Sequence, residues 1–284
     1  MIENGRRPLD STRLRVALAR ALDISVTDLT GQPYPASDSR QKRAQATVQH
    51  VRLALLETTG GAREPGRTVE QAAADVAHLA ELRDRCEYDL LGDLAPDLMC
   101  DLAALAASGE ADAWRLTALV AGPVSTMLRN LGHLDLAWIA DDRGREAANR
   151  HEDPVYQAAA AYYSAKALIP AGALDTAAET STAAAASVDD LRPGDDRARQ
   201  AYVALHLNAA WANSCAGRKD ATLAHLDEAA DVVRTVRVPG PADDLFRRPR
   251  PGAGRRPARR PGVAGVAPGR RPRPPARPVQ PLSA

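Results

Sequence analysis

Apolar residues recur at intervals of three and four along most of the chain, a spacing that gathers them on one face of a helix. Between Ser11 and Leu22 the stripe is Leu14, Ala17, Leu18, Ala21 and Leu22, and Ile24 to Leu29 predicts a turn or one further short helix. Between Arg43 and Thr58 the stripe is Ala44, Val48, Val51 and Leu55, with Leu56 beside it. From Thr68 the pattern stays mostly helical to Val236. Pro96 and Pro123 fall inside it, and each predicts a kink or a boundary, because proline lacks the N–H that the helix ladder needs. Gln32 to Ser39 holds two prolines in a polar cluster and reads as a linker, taken here as residues 32–42. Thr59 to Arg67 is a Gly/Pro/Arg loop.

A four-residue pattern punctuates the long helical region: Gly132-His133-Leu134-Asp135, Gly172-Ala173-Leu174-Asp175 and Gly217-Arg218-Lys219-Asp220. Cys86-Glu87-Tyr88-Asp89 is a degenerate copy with cysteine in the glycine's place. The copies lie about 40 to 46 residues apart, near the range of helical repeats. Glycine suits the left-handed conformation that ends one helix, and the aspartate is expected to cap the N-terminus of the next. Each copy thus predicts the tight turn of an antiparallel helix pair. The first helices are expected at about 68–85, 109–131, 154–170 and 196–216, and their partners at about 89–107, 134–150, 174–188 and 219–236. An isolated pair cannot bury both its faces, so the expected fold is all-α, an α-solenoid of stacked pairs with a concave inner surface.

Composition agrees with close-packed helices, since alanine is abundant and Phe246 is the only phenylalanine. Lysine occurs only at Lys42, Lys166 and Lys219 while arginine is plentiful, a bias that a GC-rich gene produces. The cysteines, Cys86, Cys100 and Cys215, are widely spaced, and the chain shows no signal peptide and no apolar run near ~18 residues. A cytoplasmic protein with reduced thiols buried as small hydrophobes, and with no membrane partner, is expected. The net charge of +1 hides a split. Residues 1–246 are acidic overall, whereas 247–284 are almost wholly Arg, Pro, Gly and Ala and contain no Asp or Glu. With no helical period this tail is expected to be disordered. Two readings of it stay open: a basic segment that tethers nucleic acid, and translation out of frame, since the codons of these residues can begin with two G or C bases.

Residues 1–31 carry a more specific signal. Ile2-Glu3-Asn4-Gly5-Arg6-Arg7-Pro8 reads as the end of a helix, with a left-handed stop at Asn4-Gly5, two cations and a proline, ahead of the run ALARALDISVTDL. This stretch resembles the back half of a Cro/repressor-type helix-turn-helix domain (the xenobiotic-response-element family), in which the IENG-R-R-P run closes the recognition helix. The resemblance implies a truncated DNA-binding domain whose base-reading side chains would precede Met1. It also implies that Asn4, Arg6 and Arg7 touch DNA phosphates, contacts that position a protein without reading sequence. Residues 43–246, above all LGHLDLAWIADDRGREAA and LAHLDEAADVV, are similar to the tetratricopeptide-like sensor domains that follow helix-turn-helix domains in many actinobacterial regulators. Their spacing departs from a strict 34-residue repeat.

Catalytic signatures are missing: there is no H-E-x-x-H, no G-x-S-x-G, no P-loop and no dinucleotide fingerprint. Neither an enzyme nor a cofactor is expected. His151-Glu152-Asp153 gathers metal-ligand types, but it sits where one helix pair should hand over to the next and reads as a solvated loop. The other histidines show no metal-ligand spacing, so no metal is expected. Asp141-Asp142 and Asp189-Asp190 read as solvated charge. Ligand-groove candidates lie on the first helices, which line the concave face of such solenoids: Trp114, Tyr156, Tyr163, Tyr202, His206 and Asn213. Arg115, Tyr162, Lys166, Asn208 and Trp211 share those helices. The competing reading is that Tyr and Trp fill seams between alanine-rich helices. Asn208 and Asn213 then need buried partners. The function expected is a transcriptional regulator with weak or lost DNA binding, whose repeats sense a peptide, a small molecule or a protein partner; a homodimer is left open. The alternative is a repeat scaffold that binds a protein and no DNA.

Overall fold

The computed structural model describes residues 12–24, 26–31, 33, 36, 38–57 and 64–234. Every regular element among them is helical: α1 (Thr12–Leu22), α2 (Val26–Thr30), α3 (Ser39–Glu57), α4 (Val69–Asp84), α5 (Tyr88–Ala107), α6 (Asp112–Leu131), α7 (Leu134–His151), α8 (Pro154–Ala171), α9 (Leu174–Ser187), α10 (Asp196–Ala216) and α11 (Lys219–Val233). A 3-10 turn, Asp189–Leu191, precedes α10. The tail 247–284 and the proposed phosphate contacts Asn4, Arg6 and Arg7 lie outside the described residues. No helix among the described residues is long and apolar enough to cross a membrane.

The helix pairs fall within a few residues of the expected spans, and their turns explain why. Gly132, Gly172 and Gly217 adopt φ of 90°, 86° and 79°, and Cys86 takes the same left-handed place at 55°. In each turn the next residue donates its N–H back five residues: Glu87 to Leu82, His133 to Leu128, Ala173 to Leu168 and Arg218 to Asn213, at 2.8 to 3.1 Å. The aspartates do not cap. The residues preceding the second helices are Glu87, His133, Ala173 and Arg218, with no side-chain cap, so Asp89, Asp135, Asp175 and Asp220 fall two places further on, inside the first turn. The turns are too short for anything else: three leave two residues between helices and the Cys86 turn leaves three, and in each the pre-helix residue is also the one closing the backbone bond. The aspartates still meet the positive end of the helix dipole there. Side-chain caps occur elsewhere. Thr68 and Gln71 form a reciprocal capping box at α4. Asp153 accepts from Val155 N at 2.8 Å ahead of Pro154, so His151-Glu152-Asp153 is the handover from α7 to α8.

Several expectations are corrected. Neither Pro96 nor Pro123 marks a boundary; each lies inside one continuous helix, where packing on either side offsets the missing hydrogen bond, with Ala95, Leu98 and Val124 fully buried. Helix α3 begins at Ser39 rather than Arg43, and Asp38 Oδ1 accepts from Gln41 N at 2.8 Å. On α1 the buried residues are Val16 and Ala19, while Ala17, Ala21 and Leu22 are exposed. The reason is its neighbours. Helix α1 packs on α8 and α10, with Val16 against the α8–α9 turn, where a Cβ on Gly172 would lie 3.4 Å from it. Cys86 is exposed rather than buried, as its turn position dictates; Cys215 is buried.

Packing follows the chain. Helix α4 meets α5 and α6, α6 meets α7 and α8, α8 meets α9 and α10, and α10 meets α11. The first helix of each pair therefore lies beside the first helix of the next. Helix α3 covers α5, and they approach so closely that a Cβ on Gly92 would sit 1.9 Å from Thr47 Oγ1. One apolar cluster joins α3 to α7 around Leu55, Leu79, Leu98, Leu102 and Leu128, and another joins α8, α9 and α10 around Val155, Val188 and Leu205.

Candidate functional site

Three helical stripes enclose a cavity of about 580 Å³ between α5, α6 and α7. Helix α6 presents Trp114, Thr117, Val120, Ala121 and Val124, and α7 presents Ala140, Arg143, Glu146, Ala147 and Arg150, both at three- and four-residue spacing. Helix α5 contributes Met99, Leu102, Ala103, Ala106 and Ala107, and Leu55 of α3 closes the floor. The space exists because much of the wall is alanine. Floor and mouth differ in chemistry. Leu55, Leu102, Val120 and Val124 are all but fully buried, and the Thr117 hydroxyl donates to Ala113 O at 2.8 Å within its own helix.

At the mouth two guanidiniums face one carboxylate. Arg150 Nη2 lies 2.9 Å from Glu146 Oε1, and Arg143 Nη1 lies 3.4 Å from Glu146 Oε2. The Arg150 guanidinium carbon sits 4.5 Å above the Trp114 ring, within cation–π range. All three charged side chains are partly exposed, so the mouth is wet and the floor is dry. Set against protein-family models, curated proteins and solved structures, the chain matches none. The cavity volume lies in the range of small-molecule sites, about 300 to 1,000 Å³.

Of the groove candidates only Trp114 lines this cavity. Tyr163 is buried against Gly122, where a Cβ would come within 2.4 Å of its ring, and its hydroxyl accepts from Arg83 Nη1 at 3.0 Å. Burial raises its pKa. Tyr156 is buried and meets His151 edge-on at 5.1 Å. Tyr202 and His206 stand apart from both, in a patch shared by α10 and α11. Their rings stack at 4.4 Å, the Tyr202 hydroxyl donates to Glu228 Oε1 at 2.9 Å, and Arg192 lies 4.0 Å above the Tyr202 ring. Burial pushes Tyr202 up to about 12. It also lowers His206 and His225, whose Nδ1 atoms are 3.2 Å apart, so one neutral ring donates to the other. Asn213 is structural: it donates to Ala209 O at 2.8 Å and accepts from Arg218 Nε at 2.6 Å. Asn208 donates to Tyr162 O at 2.9 Å. Buried asparagines thus found partners within the helices.

Other residues were not visible in advance. Asp141, read as solvated, is buried beside Arg129. Asp101 is buried too, holding Gly66 N at 3.0 Å and the Arg67 guanidinium. Among the described residues no three His, Cys, Asp or Glu side chains gather as a metal site. The signal for the cavity mouth was present in the sequence, as Arg143, Glu146 and Arg150 share a stripe with Ala140 and Ala147. It identifies a site only once α5 and α6 are known to face that stripe.

Proposed function

We propose that α4 to α11 form a tetratricopeptide-like solenoid, and that this solenoid is the ligand-sensing part of a cytoplasmic, Cro/repressor-type transcriptional regulator. The cavity between α5, α6 and α7 is its effector site. The observation that carries this reading is the seat of α1. Val16, in the segment that resembles a DNA-binding domain, packs on the α8–α9 turn of the repeats. Helices α6 and α7 line the cavity and also contact α8, so an occupant that moves them also moves the helix on which α1 rests. Coupling of this kind needs different effector affinities in two arrangements of the helices.

A salt titration of DNA binding tests the regulator reading. Fluorescence anisotropy with duplex DNA should show weak binding whose affinity falls steeply with salt. If Arg6 and Arg7 touch phosphates, the Arg6→Ala/Arg7→Ala chain should lose up to about two units of slope in log K against log salt. Equal slopes for parent and variant would refute the contacts. A scaffold reading is favoured by another feature: Leu223, Leu226 and Val233 are exposed along one stripe of α11. Capture of a protein partner on that stripe, with equal slopes on DNA, would replace the regulator by the scaffold.

A further inference from the structure

We infer that the cavity between α5, α6 and α7 takes an amphipathic monoanion: an apolar body of roughly seven to ten carbon atoms carrying a single carboxylate. This rests on the reading of that cavity as a ligand site and adds what the ligand must be. The floor dictates the body. Leu55, Leu102 and Val124 present only hydrocarbon, and the one hydroxyl on the wall, Thr117, has its proton committed to Ala113 O. A polar group placed there would lose its water and gain little in return. The alanines of α5 and α7 leave room that a larger residue would close.

The mouth dictates the head. Arg143 and Arg150 share one carboxylate, Glu146, which leaves an excess positive charge beside the apolar floor. Each guanidinium has five N–H donors in a planar fork, more than one carboxylate can occupy. A ligand carboxylate can therefore enter without displacing Glu146, and a carboxylate matches the fork by shape as well as by charge. Stacking on Trp114 limits where the Arg150 guanidinium can swing, which holds it at the mouth. A cationic head would meet two like charges. A neutral head would gain neither the charge nor the fork.

Isothermal titration of the full chain with octanoate, octan-1-ol and octylammonium reads these differences directly. Octanoate should bind one per chain with a dissociation constant on the order of 10⁻⁴ M or below, octanol at least about tenfold weaker, and octylammonium without saturation. Acetate, which keeps the head and lacks the body, controls for the arginine-rich residues 247–284 and should not saturate. Arg143→Gln and Arg150→Gln should each weaken octanoate by about tenfold and leave octanol unchanged. Ala103→Phe, which fills the cavity, should abolish both; if its melting shows that it does not fold, Ala107→Trp on the exposed edge of the wall takes its place. Octanol binding as tightly as octanoate overturns the inference. So does octanoate binding that survives the filled cavity, or no octanoate binding at all. Absent octanoate binding with the DNA slope change intact removes this inference alone. Octanoate binding with equal DNA slopes and capture of a protein partner on the α11 stripe removes the regulator reading alone.

Discussion

Asp141 holds a carboxylate where water does not reach. It is 2% exposed, and the nearest cation, Arg129 Nη1, is 3.5 Å away, longer than a hydrogen bond. Burial raises its pKa to about 6, against the pull of Arg129, Ser125 and Lys166. The sign follows from linkage. A folded-state pKa above the ordinary carboxylate value gives stability that is complete below about pH 4 and lost as pH rises through 6. Asp141→Asn removes the titration. The variant-minus-parent stability should therefore rise between pH 4.5 and 7.5, by on the order of 2 kcal/mol or a few degrees in Tm. A difference that stays flat across that range would show that the carboxylate does not titrate there. Its neighbour shows why Asp141 was misread. Asp142 is exposed and pairs with Arg145, while Asp141 points toward α6. Helix α7 is covered on more than one side, so polarity along the sequence cannot tell which of two adjacent aspartates is inside.

At the scale of elements the turns were the most legible feature, because only a few residue types end a helix in the left-handed region. Glycine at 132, 172 and 217 marked three of them, and the fourth was visible through its spacing despite Cys86. Those positions are also where substitution should be felt. Gly172→Val places a β-branched side chain at φ 86° and against Val16, so it should lower stability by about 1 to 2 kcal/mol in urea melts. Cys86→Gly relieves φ 55° and should raise stability by up to about 1 kcal/mol. If both variants melt with the parent, left-handed geometry is not what ends these helices. The role of the aspartates was misread for a local reason. Sequence spacing places a residue near a helix start, but cannot say whether the turn leaves the cap position free. Packing of α1 was misread for a distant reason: its face is set by α8 and α10, more than a hundred residues further on.

At the scale of the whole molecule, hydrophobic periodicity predicted which segments are helices, and their order in sequence is largely their order in space. The cavity was not predictable by that route, because it needs three stripes from three helices to face one another. Trp114, which lines the cavity, was a groove candidate for its size and its place on a first helix, not for the wall around it. Tyr202 and His206 lie together, in a different place from Trp114. The order of the helices has a consequence for how the molecule opens. Among the described helices α11 touches only α10, and its buried residues are just Ala229 and Val232. Helix α6 is gripped from several sides, by α4, α5, α7 and α8. From α4 to α11 contacts run only between near neighbours, and such an array opens from its end instead of all at once. Amide hydrogen exchange should therefore keep a graded clock, fastest in α11, slower through α10 and α8, and slowest in α6. A single exchange rate shared by all four would mean that they open as one block.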